Sequence, residues 1–133
     1  MSRILSVAGA VLSAALVLPA PASAAAAPGA RLFADNCAAC HQPEGQGIAG
    51  AFPALAANSF VQGPAEAPLT VLLNGRGGMP TFRNDLSDEQ IAGVLSYVRS
   101  AWGNKAGPVE PAAVAAARGV AQSENAAAAL QAH

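Results

Sequence analysis

Within CAACHQPEG, residues 37 to 45, stand Cys37, Cys40 and His41, and the chain contains no other cysteine. Two thiols separated by two residues face the same way on about one helical turn. From there both can add to vinyl groups along one porphyrin edge, forming thioethers, while the imidazole at the next position projects beneath the ring toward the iron. The spacing points to one covalently attached haem c, held by Cys37 and Cys40, with His41 as an axial ligand.

Other uses of such a pair ask for features the sequence does not offer. A mutual disulfide would close only the stretch from Cys37 to Cys40 and restrain little of the unfolded chain. A thioredoxin-like redox pair sits at a helix N-terminus after a strand, whereas this pair ends a helical segment and nothing in the chain reads as a strand. Zinc needs three or four ligands, and the one remaining histidine is the terminal His133. Inert buried cysteines would leave both thiols uncapped in an exported protein.

The sixth iron position has one candidate. Apart from the initiator, Met79 is the only methionine, 38 residues after His41 in the run Gly77-Gly78-Met79-Pro80. A lone methionine commonly fills a core gap, but a core methionine belongs on an apolar stripe, not between glycine and proline. Glycines let backbone approach a flat cofactor and proline sets the turn, so Met79 is expected to supply a thioether opposite His41.

Helical elements must position these residues. A segment from Gly29 toward Cys37 places Leu32, Phe33, Asn36 and Cys37 on one side. From His41 to about Pro64 the chain is dense in Gly and Pro, which predicts a wrapping loop, and so long a loop in a small domain should cover something. A short helix is expected over Pro68 to Asn74, with Pro68 at its first position, Leu69, Leu72 and Leu73 as its apolar face, and Gly75 as its stop. Ser87 to Trp102 carries the clearest pattern: Ser87 and Gln90 as a capping box, Leu86 and Ile91 as a staple, then Val94, Leu95, Val98 and Trp102 before Gly103. Beyond Lys105 the Ala-rich sequence predicts a short helix over Pro111 to Arg118 and then a low-complexity tail of little function.

Of the 133 residues, the first 24 read as a secretory signal peptide: Arg3, then an apolar run from Ile4 to Leu18, then the small residues Ala22-Ser23-Ala24. Cleavage there leaves 109 residues bearing six basic and eight acidic side chains. So weak a charge lacks the basic stripe of a nucleic-acid binder, and no later segment is long and apolar enough to span a bilayer. The expected layout is a signal peptide over 1–24, a haem domain over 25–104 and an Ala-rich tail over 105–133. The expected location is the bacterial periplasm.

CAACH, FPAL (Phe52 to Leu55), NGRGGMPTF (Asn74 to Phe82) and LSDEQIAGVLSYVRSAWG (Leu86 to Gly103), in this order, resemble the monohaem c-type cytochromes with His/Met ligation, over about residues 28 to 104. The resemblance implies an all-α cytochrome c fold, three to four helices wrapped around one haem with long irregular loops. It implies that Gly29 and Phe33 cross the helix over Ser87 to Trp102 at Val94, Leu95 and Tyr97. It further implies that the Pro53 carbonyl accepts a hydrogen bond from His41, and that Leu55 and Phe82 pack beside the porphyrin. Arg76 carries two readings, partner of a haem propionate or solvated loop charge.

The implied function is one-electron transfer without enzymatic turnover, in a monomer or a subunit of a larger complex. Electrons would come from a dehydrogenase or quinol-oxidising complex and pass to a terminal oxidase or reductase. Low net charge suggests docking through an apolar patch at the haem edge. The alternatives are a haem enzyme or ligand sensor with an open sixth position, and a fixed electron-transfer subunit of a dehydrogenase.

Overall fold

The computed structural model describes residues 26–131; the expected signal peptide over 1–24 and His133 lie outside them. Among these residues the chain is all-α: α1 (Ala26–Asn36), α2 (Ala38–His41), α3 (Ser59–Gln62), α4 (Glu66–Asn74), α5 (Asp88–Ser100) and α6 (Pro111–Gln131). Two isolated bridges, Ile48 with Phe52 and Arg76 with Met79, are the only extended pairings among them.

The capping box expected for α5 forms. The Ser87 hydroxyl accepts from the Gln90 N–H at 3.3 Å, and the Gln90 side chain accepts from the Ser87 N–H at 2.9 Å. Two orphan donors are thereby satisfied, and Asp88 and Glu89 complement the positive helix end. Ile91, Ala92, Val94, Leu95 and Val98 are buried, a wide stripe because neighbours pack on two sides. The helix stops at Ser100, short of the expected Trp102. Trp102 instead takes a left-handed φ of 51° and folds back, its ring centroid 4.8 Å from Phe33 and 5.3 Å from Tyr97. Burial of the indole offsets the roughly 1–2 kcal/mol that this backbone conformation costs.

α1 lies across α5 with Gly29 at the crossing. A Cβ added there would stand 2.3 Å from the Gly93 carbonyl oxygen and 2.9 Å from the Tyr97 Cβ. The contact at Gly29 therefore falls on the expected Tyr97 and on Gly93, one residue before the expected Val94. Phe33 is buried and its ring lies 5.8 Å from Tyr97, whereas Asn36, placed on the same inward side by the sequence pattern, is exposed.

α4 begins at Glu66, two residues before the expected start, so Pro68 occupies the third helical position. First-turn N–H groups have no intrahelical acceptor, and proline is tolerated there as well as at the first position. Pro68, Leu69, Leu72 and Leu73 are buried, and Gly75 ends the helix with φ 72°, its N–H donating to Val71 at 2.8 Å.

The largest correction concerns residues 111–131. In place of a short helix and a tail there is one helix, α6. Pro111 is pre-organised for its first position and alanine is the strongest helix former, so the composition that reads as low complexity also favours helix. The first turns pack on α4 and α5 through Val114, which is 0% exposed, while Val109 just before the helix is also buried. Val120 and Leu130 face solvent.

Arg99, at the C-terminal end of α5, is 7% exposed and has no carboxylate partner among the described residues. Its guanidinium donates to the carbonyls of Val61 at 2.6 Å, Gly63 at 2.9 Å and Gly107 at 3.0 Å. One side chain thus ties α3 and the segment before α6 to α5, where a cation also complements the negative helix end.

Gly29→Ala is expected to destabilise the haem-loaded protein by about 1–3 kcal/mol by forcing α1 away from α5. The check is the midpoint of guanidinium unfolding.

Candidate haem site

Cys37 sits at the break between α1 and α2, with φ −123° and ψ −32°. The hydrogen bonding barely pauses there: Cys37 N–H donates to Phe33 at 2.8 Å, and the N–H groups of Cys40 and His41 both donate to the Cys37 carbonyl, at 3.2 and 3.0 Å. One continuous turn therefore carries both thiols and the imidazole. All three side chains line a cavity of about 360 Å³, within the usual range for small-molecule and cofactor sites. A more open groove of about 440 Å³ beside Gly50 and Phe52 has no ionisable side chain in its lining.

His41 is 8% exposed, and its Nδ1–H donates to the Pro53 carbonyl at 2.9 Å. A carbonyl can only accept, so Nδ1 carries a proton, and in the neutral imidazole this leaves the Nε2 lone pair free, the tautomer a metal ligand requires. The loop is shaped to deliver that carbonyl. Gly47, at φ 64°, donates its N–H to the His41 carbonyl at 2.9 Å, and a Cβ on it would lie 2.5 Å from the Phe52 oxygen and 2.7 Å from the Ala54 nitrogen.

Burial, and secondarily the neighbouring Cys40, push the Cys37 thiol up to about 11. A redox-active cysteine has its thiolate stabilised instead, so the environment opposes thioredoxin-like chemistry. Among the described residues, no three His, Cys, Asp or Glu side chains converge as a metal-binding cluster. The two cysteines and His41 line the same cavity from one turn of the chain, as attachment of one macrocycle would need.

Met79 lines the same cavity from the loop between α4 and α5. It is fixed by a reciprocal pair of backbone bonds, Arg76 N–H to the Met79 carbonyl at 3.2 Å and Met79 N–H to the Arg76 carbonyl at 3.0 Å. The loop is pinned to α4 by Phe82 N–H on the Leu72 carbonyl at 2.9 Å and the Thr81 hydroxyl on the Leu73 carbonyl at 2.7 Å. Leu55 and Phe82 line the cavity as the resemblance implies. The exposed Arg76 stands at its mouth with its guanidinium carbon 5.3 Å from the centre of the Phe60 ring and no carboxylate partner among the described residues.

The sequence pattern did not reveal the polar support beneath the loop. Asn58 caps α3, its side chain accepting from Phe60 N–H at 2.8 Å and Val61 N–H at 3.2 Å. Asn104, 3% exposed, accepts from the Asn58 N–H at 3.2 Å and donates to the carbonyls of Leu55 at 2.9 Å and Val98 at 2.8 Å. The Asn-Ser pair opening α3 was a readable N-cap signal; nothing local marks Asn104, whose partners Leu55 and Asn58 lie far away in the chain.

A covalent haem fits this set of donors and walls. Residues 24–98 match the family model described as cytochrome c oxidase, cbb3-type, subunit III, and the chain belongs to this family: it is a monohaem c-type cytochrome with covalently bound haem c. Among its relatives, a cytochrome c-552 of Thermus thermophilus is 41% identical over 60% of this chain and 64% of its own length. A cytochrome c6 of Picosynechococcus sp. is 36% identical over 74% of this chain and 92% of its own length. The cytochrome c subunit of a quinone-dependent alcohol dehydrogenase from Gluconacetobacter polyoxogenes is 38% identical over 65% of this chain, which spans only 21% of that protein.

Asn104→Leu should lower unfolding free energy by about 2–4 kcal/mol, because it leaves buried backbone groups of Leu55, Asn58 and Val98 without partners. Denaturant titration of the haem-loaded variant measures this.

Proposed function

We propose that the protein is an exported one-electron carrier in which Cys37 and Cys40 hold the haem and His41 and Met79 are the two axial ligands. The observation that carries this reading is the His41–Pro53 hydrogen bond, which leaves Nε2 free in a cavity that Met79 also lines. When bound, haem c supplies a ferric/ferrous one-electron couple. Pro53 orients the imidazole and raises its basicity; Met79 offers a neutral thioether, which together with apolar walls favours the reduced form and raises the potential. If His41 and Met79 both held the iron, no coordination site would be left to substrate, and the protein would carry electrons without turning over a substrate.

The remaining assignments are residues 1–24 as an export signal, residues 25–104 as the haem domain and the periplasm as the location. Among the described residues no helix is long and apolar enough to cross a membrane. The proposed partners are a dehydrogenase or quinol-oxidising complex as donor and an oxidase or reductase as acceptor. Residues 45–65 contain no Asp, Glu, Lys or Arg, and the exposed Ile48, Phe52 and Phe60 lie on this stretch, with Phe52 and Phe60 lining the cavity. That surface suits apolar docking with little electrostatic steering. The similarity to dehydrogenase cytochrome subunits favours a second reading, a fixed electron-transfer subunit of a dehydrogenase, which co-purification with a dehydrogenase would reveal.

The reduced protein is expected to refuse carbon monoxide at neutral pH; ready binding would establish an open-site enzyme or sensor instead. Met79→Ala should keep the covalent haem, admit carbon monoxide and lower the midpoint potential by on the order of a tenth of a volt or more. An unchanged optical spectrum in that variant would refute the ligand assignment.

A further inference from the structure

The Met79 side of the cavity is backed by a helix that the family match does not reach, since the match ends at residue 98 and α6 starts at Pro111. Val109 and Val114 belong to the same apolar cluster as Leu72 and Leu95, and Met79, Phe82 and Ala117 pack against that cluster. One helical turn beyond Val114 is Arg118. Its Nε and Nη2 donate to Asp88 at 2.9 and 2.8 Å, its Nη2 also to the Leu86 carbonyl at 3.3 Å, and its Nη1 to the Arg83 carbonyl. Arg83 answers in kind, donating Nη1 to the Arg118 carbonyl at 3.3 Å and Nη2 to the Asn74 side-chain oxygen at 2.7 Å.

Asn74 and Arg83 bracket the loop that carries Met79. The two arginines therefore join both ends of that loop to each other and to α6. The Arg118–Asp88 pair is only 21% and 29% exposed at its side chains, so these charge-assisted bonds are less screened than a surface ion pair.

We propose that α6, acting through Arg118, is a brace that sets how readily Met79 gives up its place to an outside ligand; this positioning role rests on Met79 being the sixth ligand. The physical basis is loop opening. An outside ligand binds only the fraction of molecules with the loop displaced, so its apparent affinity scales with that fraction. Removing the bonds that oppose opening raises the fraction without touching either axial ligand.

The test is titration of the ferric, haem-loaded full-length protein with imidazole. Arg118→Gln should bind imidazole about tenfold more tightly than the unaltered protein, because charge-assisted bonds to Asp88 and two carbonyls are lost. Val114→Ala, which loosens α6 while retaining Arg118, should shift the affinity in the same direction and serves if Arg118→Gln does not fold. Gly29→Ala, which weakens the α1–α5 crossing, controls for general destabilisation and should stay near the unaltered protein. Imidazole affinity unchanged in the α6 variants, or raised as much by Gly29→Ala, would overturn the brace. If the unaltered reduced protein binds carbon monoxide freely, Met79 is not a ligand and the brace falls with it. If it refuses carbon monoxide and the α6 variants match it in imidazole binding, the brace alone falls.

Discussion

Phe33 of α1, Leu72 of α4 and Val94, Leu95 and Val98 of α5 pack into the core and also line a cavity of about 360 Å³, and the arrangement of the loops follows from that constraint. A chain this short has little core to spare. Val94, Leu95 and Val98 would ordinarily meet side chains of the next helix, but here they also line the site. Haem attachment and folding would consequently be one problem, because a bound macrocycle would contribute apolar contact to the residues that line the site.

Packing is divided into two clusters, one on each flank. Phe33, Val61, Val94 and Val98, with Cys37, Leu55, Tyr97 and Trp102 against them, back the side that bears the cysteines. Leu69, Leu72, Leu73, Ile91, Leu95 and Val114, with Met79 and Phe82 against them, back the opposite side. α5 contributes to both clusters, which explains why its buried stripe is wide and why its cap, its glycine crossing and its buried Arg99 are all so well satisfied. The irregular stretch from Gln42 to Asn58, ended by α3 earlier than the expected Pro64, is tolerated because Gly45, Pro53 and Asn58 make definite hydrogen bonds, and because it wraps the site's edge.

Much of the site was legible along the chain. CAACH is a contiguous motif whose chemistry depends on spacing within one turn, and the isolation of Met79 between glycine and proline marked it as exceptional. Ser87 and Gln90 announced α5 because a capping box is a local interaction. The errors came where distant contacts outweighed local preference. Trp102 continued a helical period, yet its indole gains more by packing tilted against Phe33 and edge-on to Tyr97 than by extending α5. The Ala-rich segment after Arg118 read as a tail because it carries almost no apolar pattern, and the burial of Val114 that anchors α6 depends on α4 and α5 being there to meet it.

By itself the sequence determined the residues that can make thioethers and bind iron, the helices that carry them and the helical class of the fold, since each depends on residues close together in the chain. Tertiary structure alone decided which partners those residues meet: Asn104 beneath the Asn58 loop, Gly93 opposite Gly29, and Arg118 locked to the Met79 loop. These pairings join positions far apart in sequence, and no local pattern of hydrophobicity or turn chemistry encodes which distant backbone carbonyl a buried amide or guanidinium will find.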